Sequence, residues 1–117
     1  MPPRFVETTL PSEVPLQVLS TPLFEEWLSL LRDGRARARI VERMKRLGQG
    51  NPGDHRSVGA GVFELRIDYG PGYRVYYIQR GQVAVILLCG GDKHRQERDI
   101  ERAKQLAEEL KEDAQWP

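Results

Sequence analysis

The chain has 117 residues, with 18 Lys and Arg against 17 Asp and Glu, two His and one Cys. One domain of ordinary size fits this length, and its core needs no covalent staple. The lone Cys89 excludes an intramolecular disulfide and any zinc site built on two or more thiolates. No run approaches the roughly 20 apolar residues that cross a bilayer. Met1 to Leu10 lacks the apolar stretch of a signal peptide, so a cytoplasmic protein is expected. A net charge of +1 argues at first sight against nucleic acid as a partner. The distribution reverses that argument. Residues 32–46 hold seven basic side chains against two acidic ones, residues 55–95 six against three, and residues 97–113 four against seven. A basic middle is cancelled only in the sum, by an acidic end. Arg predominates in the middle, and its planar fork suits bidentate phosphate binding.

Residues 1–13, with three Pro and no periodicity, are expected to form a loose arm, and residues 14–114 a single domain. Val14 to Leu19 is a short strand that Pro15 confines to a strand start or a sheet edge. Thr21-Pro22 starts a helix, with Thr as cap and Pro at the first position. Phe24, Trp27, Leu28 and Leu31 then share one face. Asp33-Gly34 interrupts. Ala36, Ile40, Met44 and Leu47 mark a second helix ending near Gly48, and so short a link predicts an αα-hairpin. Residues 48–61 read as a Gly-rich loop. The period then switches to two: Phe63, Leu65 and Ile67 alternate with Glu64, Arg66 and Asp68. Gly70-Pro71-Gly72 turns into a second strand from Tyr73 to Gln79. After Arg80-Gly81, Val83 to Leu88 is continuously apolar, as in a strand covered on both faces. Gly90-Gly91 ends it. Ile100, Ala103, Ala107, Leu110 and Ala114 predict a C-terminal helix. The order is β-α-α-β-β-β-α. It predicts an α+β fold: an antiparallel sheet of about four strands with the helices on one face.

Arg66 and Arg74 sit eight residues apart on the two strands of one hairpin, which places them on the same face. They repel unless an anion lies between them, either a bound phosphate or a cross-strand carboxylate such as Glu64 or Asp68. Lys93, just past Gly90-Gly91, adds to the phosphate reading. Tyr73 and Tyr76 point to opposite faces, one to the core and the other free to stack on a base. His55 and His94 are candidates for a general acid–base pair in phosphodiester cleavage, against the plainer reading of surface histidines. They lack a third ligand at metal-site spacing, so no metal and no cofactor is expected. The Gly-rich segment lacks the Gly-Lys-Ser/Thr of a phosphate-binding loop, and there is no Gly-x-Ser-x-Gly elbow. Cys89 reads as an inert core residue.

Four stretches together carry a family pattern: Phe24-x-x-Trp27-Leu28-x-x-Leu31-x-Asp33; Gly50-Asn51-x-Gly53-Asp54 with Gly61-Val62-x-Glu64-Leu65-Arg66-Ile67-Asp68; Gly70-Pro71-Gly72-Tyr73-Arg74-Val75-Tyr76-Tyr77; and Leu87-Leu88-x-Gly90-Gly91-Asp92-Lys93-x-x-Gln96-x-x-Asp99-Ile100-x-x-Ala103. From about Val14 to Leu110 the chain resembles the RelE/HigB-like addiction-module killer proteins, toxins of bacterial type II toxin–antitoxin systems.

The resemblance implies a RelE/ParE-like fold. It also implies metal-independent endonucleolytic cleavage of mRNA, often on the ribosome, by attack of a ribose 2′-hydroxyl on its own 3′-phosphate. Arg66, Arg74 and Lys93 match the basic positions that stabilise charge on the phosphate oxygens. His94 and His55 complete the catalytic candidates. Arg35, Arg39, Arg56, Arg95, Tyr73 and Tyr76 are the expected RNA contacts. The chain departs from the pattern at Glu64, where such nucleases often carry Lys, and at Glu97-Arg98-Asp99, where some carry Tyr. The general base is therefore open among Glu64, His55 and His94. The expected partners are an adjacent antitoxin, commonly a helix-turn-helix protein, together with mRNA and the ribosome, and no membrane. Two alternatives stand beside this reading. One is a ParE-like inhibitor of DNA gyrase that is no nuclease, and the other an inactive relic that only binds its antitoxin.

Overall fold

The computed structural model describes residues 15–113; the expected arm 1–13, Val14 and Ala114 lie outside the described residues. In chain order the elements are β1 (Gln17–Ser20), α1 (Pro22–Leu30), α2 (Gly34–Gly48), β2 (His55–Gly59), β3 (Val62–Ile67), β4 (Tyr73–Arg80), β5 (Ala84–Asp92), a 3₁₀ turn (Lys93–Arg95) and α3 (Gln96–Lys111). The five strands form one sheet in the order β1-β5-β4-β3-β2. Strands β2, β3, β4 and β5 pair antiparallel in succession, and β1 runs parallel to β5. Among the described residues no helix is long and apolar enough to cross a membrane.

The helix starts follow from their caps. Thr21 Oγ1 accepts from Phe24 N at 3.1 Å and donates to Leu88 O at 2.6 Å, so one hydroxyl both caps α1 and ties it to β5. Asp33 Oδ1 accepts from the backbone of Arg35 and Ala36 and starts α2. The apolar residues of α1 and α2, Phe24, Ile40 and Leu47, meet Leu65, Ile67, Val75, Tyr77, Val85 and Leu87 on one face of the sheet. On the other face Val62, Tyr76, Ile78, Ile86 and Leu88 meet Ala103, Ala107 and Leu110 of α3.

The sheet has five strands rather than about four, and it is mixed, because β1 joins the edge of β5 in parallel. The helices are not on one face. Alternation along β3 and β4 leaves a second apolar face, and the small residues of α3 let that helix close over it. The two N-terminal helices do not take each other as main packing surface: α1 lies against β5, and α2 against β1 and β3. Residues 55–59 of the expected loop form an edge strand, turned back onto β3 through Gly59-Ala60-Gly61, all three at positive φ. The continuously apolar run is an interior strand, β5, from Ala84 on, covered on both faces as its composition predicts.

The Gly90-Gly91 pair has a packing reason. The Trp27 ring lies on Gly90, where a Cβ would come within 2.4 Å of ring carbons. The Asp99 carboxylate lies on Gly91 from the opposite side, 1.9 Å from the position of a Cβ. Gly90→Ala is therefore expected to destabilise the fold by about 1–3 kcal/mol, as overpacking does. Gly34→Ala, exposed at the first turn of α2 with its nearest neighbour at 3.6 Å, should be neutral or stabilising by up to about 1 kcal/mol. Urea unfolding of both variants checks the contrast.

Candidate functional site

Arg66 on β3 and Arg74 on β4 are direct cross-strand partners. Period two puts both on the α3 face, beside the next pair along the ladder, Glu64 and Tyr76. The space a Cβ would fill at Gly72 lies 3.4 Å from Arg74 Nη1 and 3.5 Å from Lys93 Cδ, so the Arg74 guanidinium and the stem of Lys93 flank a bare glycine. The structure thus brings Arg66, Arg74 and Lys93 to one end of the sheet, beyond the point where α3 begins.

What holds this end is Glu64. It is fully buried, yet its two oxygens accept from three elements: Arg56 Nε at 2.8 Å, Tyr76 Oη at 3.0 Å and Gln96 Nε2 at 2.8 Å. Arg74 Nε lies 3.9 Å from Oε1. Burial disfavours the charged carboxylate, but the hydrogen bonds from Arg56, Gln96 and Tyr76 outweigh it and hold Glu64 below the usual carboxylate range. Burial and the neighbouring Glu64 charge raise the Tyr76 hydroxyl far above its ordinary value, so it serves as a donor.

The two arginines of the pair differ in restraint. Arg74 is largely buried; its Nη1 donates to Tyr73 O at 3.3 Å, and its Nε has no hydrogen-bond partner among the described residues. Arg66 is partly exposed and engages Asp54 Oδ1 through Nε at 3.2 Å and Nη2 at 2.7 Å. Such an exposed pair is worth about 0–1 kcal/mol, so an anion can displace it. Arg43 of α2 sets Asp54 there. Its guanidinium donates to the carbonyls of Arg66, Pro52 and Asp54, fastening the loop before β2 to the end of β3.

The remaining candidates are distributed differently from expectation. Glu64 is no general base, since its oxygens are buried and engaged by donors. His55 lies apart from the arginine pair: its ring is turned toward Phe63 on the α1–α2 face, with Nδ1 2.8 Å from Gly53 O. Alternation sends its neighbour Arg56 to the arginine face instead, onto Glu64. Tyr76 shares that face but is fully buried, so its ring cannot stack on a base. Tyr73 is half-buried on the opposite face, edge-on to Trp27 at 6.3 Å. Arg35 and Arg39 project from α2, across the sheet from the pair, with the Arg39 guanidinium over the Tyr69 ring. His94 and Arg95 are exposed on the 3₁₀ turn beside Lys93. His94 Nδ1 lies 3.5 Å from Asp92 Oδ1. Cys89 is buried, and burial pushes its thiol up to about 12, which keeps it unreactive.

The sequence assigned no role to Gln96, Asp54 or Arg43, although Asp54 and Gln96 stand in the motifs quoted above. Gln96 and Arg43 come from segments far from the arginines in the chain. Asp54 had a signal, a short acid in a turn just ahead of the strand that pairs with Arg66's own.

Residues 26–112 match the profile of a family described as phage-derived protein Gp49-like (DUF891). An uncharacterised protein of Haemophilus influenzae (strain Rd) is 56% identical over 95 residues, covering 81% of this chain and 96% of its own length.

Because Glu64 titrates lower in the folded state than in the unfolded chain, it stabilises the fold at pH values above its ordinary value of about 4.3. That contribution is lost as pH falls through the lower, folded value. Glu64→Gln is expected to cost about 1–3 kcal/mol at pH 7. It should also flatten the stability loss between pH 5 and acid, in urea titrations run across that range.

Proposed function

The chain belongs to the phage-derived Gp49-like family, and from that premise we propose that it is the toxin of a toxin–antitoxin module, a RelE/HigB-type endonuclease that cuts messenger RNA. The observation that carries this reading is the cross-strand pair Arg66 and Arg74 with Lys93 beside Arg74. Three basic residues at one open sheet end, one of them 3.9 Å from a buried carboxylate, suit a phosphodiester whose charge grows in the transition state.

In the proposed reaction the ribose 2′-oxygen attacks the adjacent phosphorus. A P–O2′ bond forms as the bond to the 5′-oxygen breaks. The 2′-proton passes to a base, the leaving 5′-oxygen takes up a proton, and the products end in a 2′,3′-cyclic phosphate and a 5′-hydroxyl. Arg74 and Lys93 hold the non-bridging oxygens, and Arg66 joins them once the phosphate displaces Asp54. No metal takes part. His94 is the acid–base group of this reading: it is exposed next to Lys93, with Asp92 against its Nδ1 to orient the ring. Arg56 and Arg95 border the same end and extend the RNA path. The antitoxin, a helix-turn-helix protein in this reading, masks this end with an acidic segment, and the ribosome presents the message.

Induced alone, the chain should arrest growth, and primer extension on cellular mRNA should find new 5′ ends. Arg74→Ala should lower cleavage about 100- to 1,000-fold and relieve the arrest. His94→Ala should depress cleavage in the same assay. Arrested cells with intact message and altered plasmid supercoiling would replace the nuclease by a gyrase inhibitor.

A further inference from the structure

The distal part of β5 is open on one side. β1 pairs with β5 only from Ala84 to Leu87. The chain then leaves the sheet through Thr21, whose N–H and hydroxyl take up the carbonyls of Leu87 and Leu88. From Cys89 to Asp92, β5 has β4 on one side and, among the described residues, no strand on the other. A cleft of about 900 Å³ runs along this free edge, between α1 and α3.

Its two walls differ in chemistry. On the α1 side, above Gly90, they are the Trp27 ring with Leu23 and Leu31. Leu23 is 37% exposed, a large apolar side chain left in water at the mouth. On the α3 side, above Gly91, stands Asp99. Its Oδ2 is buried and has no hydrogen-bond partner among the described residues. Arg95 and Arg98 act on its charge, but neither donates to that oxygen. A buried acceptor without a donor is costly, about 1–3 kcal/mol for a neutral group and more for a charged one, and is rare in folded proteins.

A free strand edge, an apolar wall and an orphan acceptor together describe one kind of occupant. Only an extended peptide offers main-chain donors and acceptors along an edge. Its side chains alternate between the two faces of the sheet it joins. The residue beside Gly90 therefore meets the apolar wall, and the next residue meets Asp99. We propose that this cleft receives an extended segment of a partner protein as a sixth strand on β5, carrying an apolar residue against Trp27 and Leu23 followed immediately by a Lys or Arg that donates to Asp99. Lys or Arg is required because a carboxylate oxygen in a wall calls for a charged donor. The glycines belong to the recognition. With no Cβ at either position, both walls close onto the strand and define where each side chain of the incoming peptide goes. This surface adjoins the arginine pair, since Gly91 is the ladder partner of Arg74, but it is offered by the opposite edge of β5 and does not depend on what that pair binds.

The test selects a random heptapeptide display library against the full-length chain and synthesises the enriched peptides. The enriched sequences are expected to share an apolar residue followed by Lys or Arg. In amide-detected NMR titrations of the full chain, the perturbed signals should centre on residues 89–92 and the Trp27 indole. Replacing the basic residue by Gln, or Asp99→Asn in the protein, should each weaken binding about tenfold. A well-dispersed spectrum of the Asp99 variant shows that the loss is not unfolding. Enrichment without the alternation, binding mapped to β2 or to Arg66 and Asp54, or equal affinity for the Gln peptide would overturn the proposal. So would concentration-dependent self-association that protects the β5 edge, since a second copy would then be its occupant.

Discussion

The Glu64 carboxylate is the interaction on which the rest of this structure depends. A fully buried charge is tolerated only when donors surround it. Here they come from β2, β4 and the first residue of α3. The requirement to satisfy one carboxylate therefore fixes the edge strand and the start of α3. It also stations a negative charge beside Arg74, which offsets the repulsion between two arginines placed face to face in the ladder. Without an acid in the strand at this position, the pair would be a strain on the hairpin. With it, Arg74 sits largely buried beside a counter-charge while Arg66 stays partly exposed on an exposed partner, Asp54.

The sheet also divides the basic residues into two populations. Alternation along β3 and β4 sends Arg66 and Arg74 to the α3 face, while Arg35, Arg39 and Arg46 of α2 are exposed on the far side. The net charge of +1 conceals both. Only the first population is concentrated at an open sheet end next to exposed cationic and imidazole groups, and that concentration ties the proposed phosphodiester chemistry to the fold. The free edge of β5 lies in the same half of the molecule but belongs to another kind of recognition, made of main chain and alternating side chains.

Local signals were the legible part of this sequence. Thr21-Pro22 as a helix start, the period-two strand at Phe63 to Asp68 and the continuously apolar strand are each written within a few residues, and the structure carries them. The same-face placement of Arg66 and Arg74 follows from their offset alone. What escaped was tertiary. Nothing local says that β1 lies parallel to β5, or that α3 crosses to the other face. The edge strand His55–Gly59 has two glycine turns around it and polar residues within it, so its pattern reads as loop. Glu64 carried an ambiguous signal: an acid at a strand position between apolar neighbours is equally a surface residue, a base or a buried anchor. Only Gln96 and Arg56, brought in from other elements, decide among these.

The central claim is that the cationic sheet end stabilises attack of a ribose 2′-hydroxyl on its own phosphate. End-group analysis of message fragments from cells expressing the chain tests it most directly. The account predicts fragments that begin with a 5′-hydroxyl and end in a 2′,3′-cyclic phosphate or its hydrolysis product, and no cleavage where the scissile nucleotide lacks its 2′-hydroxyl. Fragments beginning with a 5′-phosphate, or cleavage that persists at a 2′-deoxy position, would contradict it.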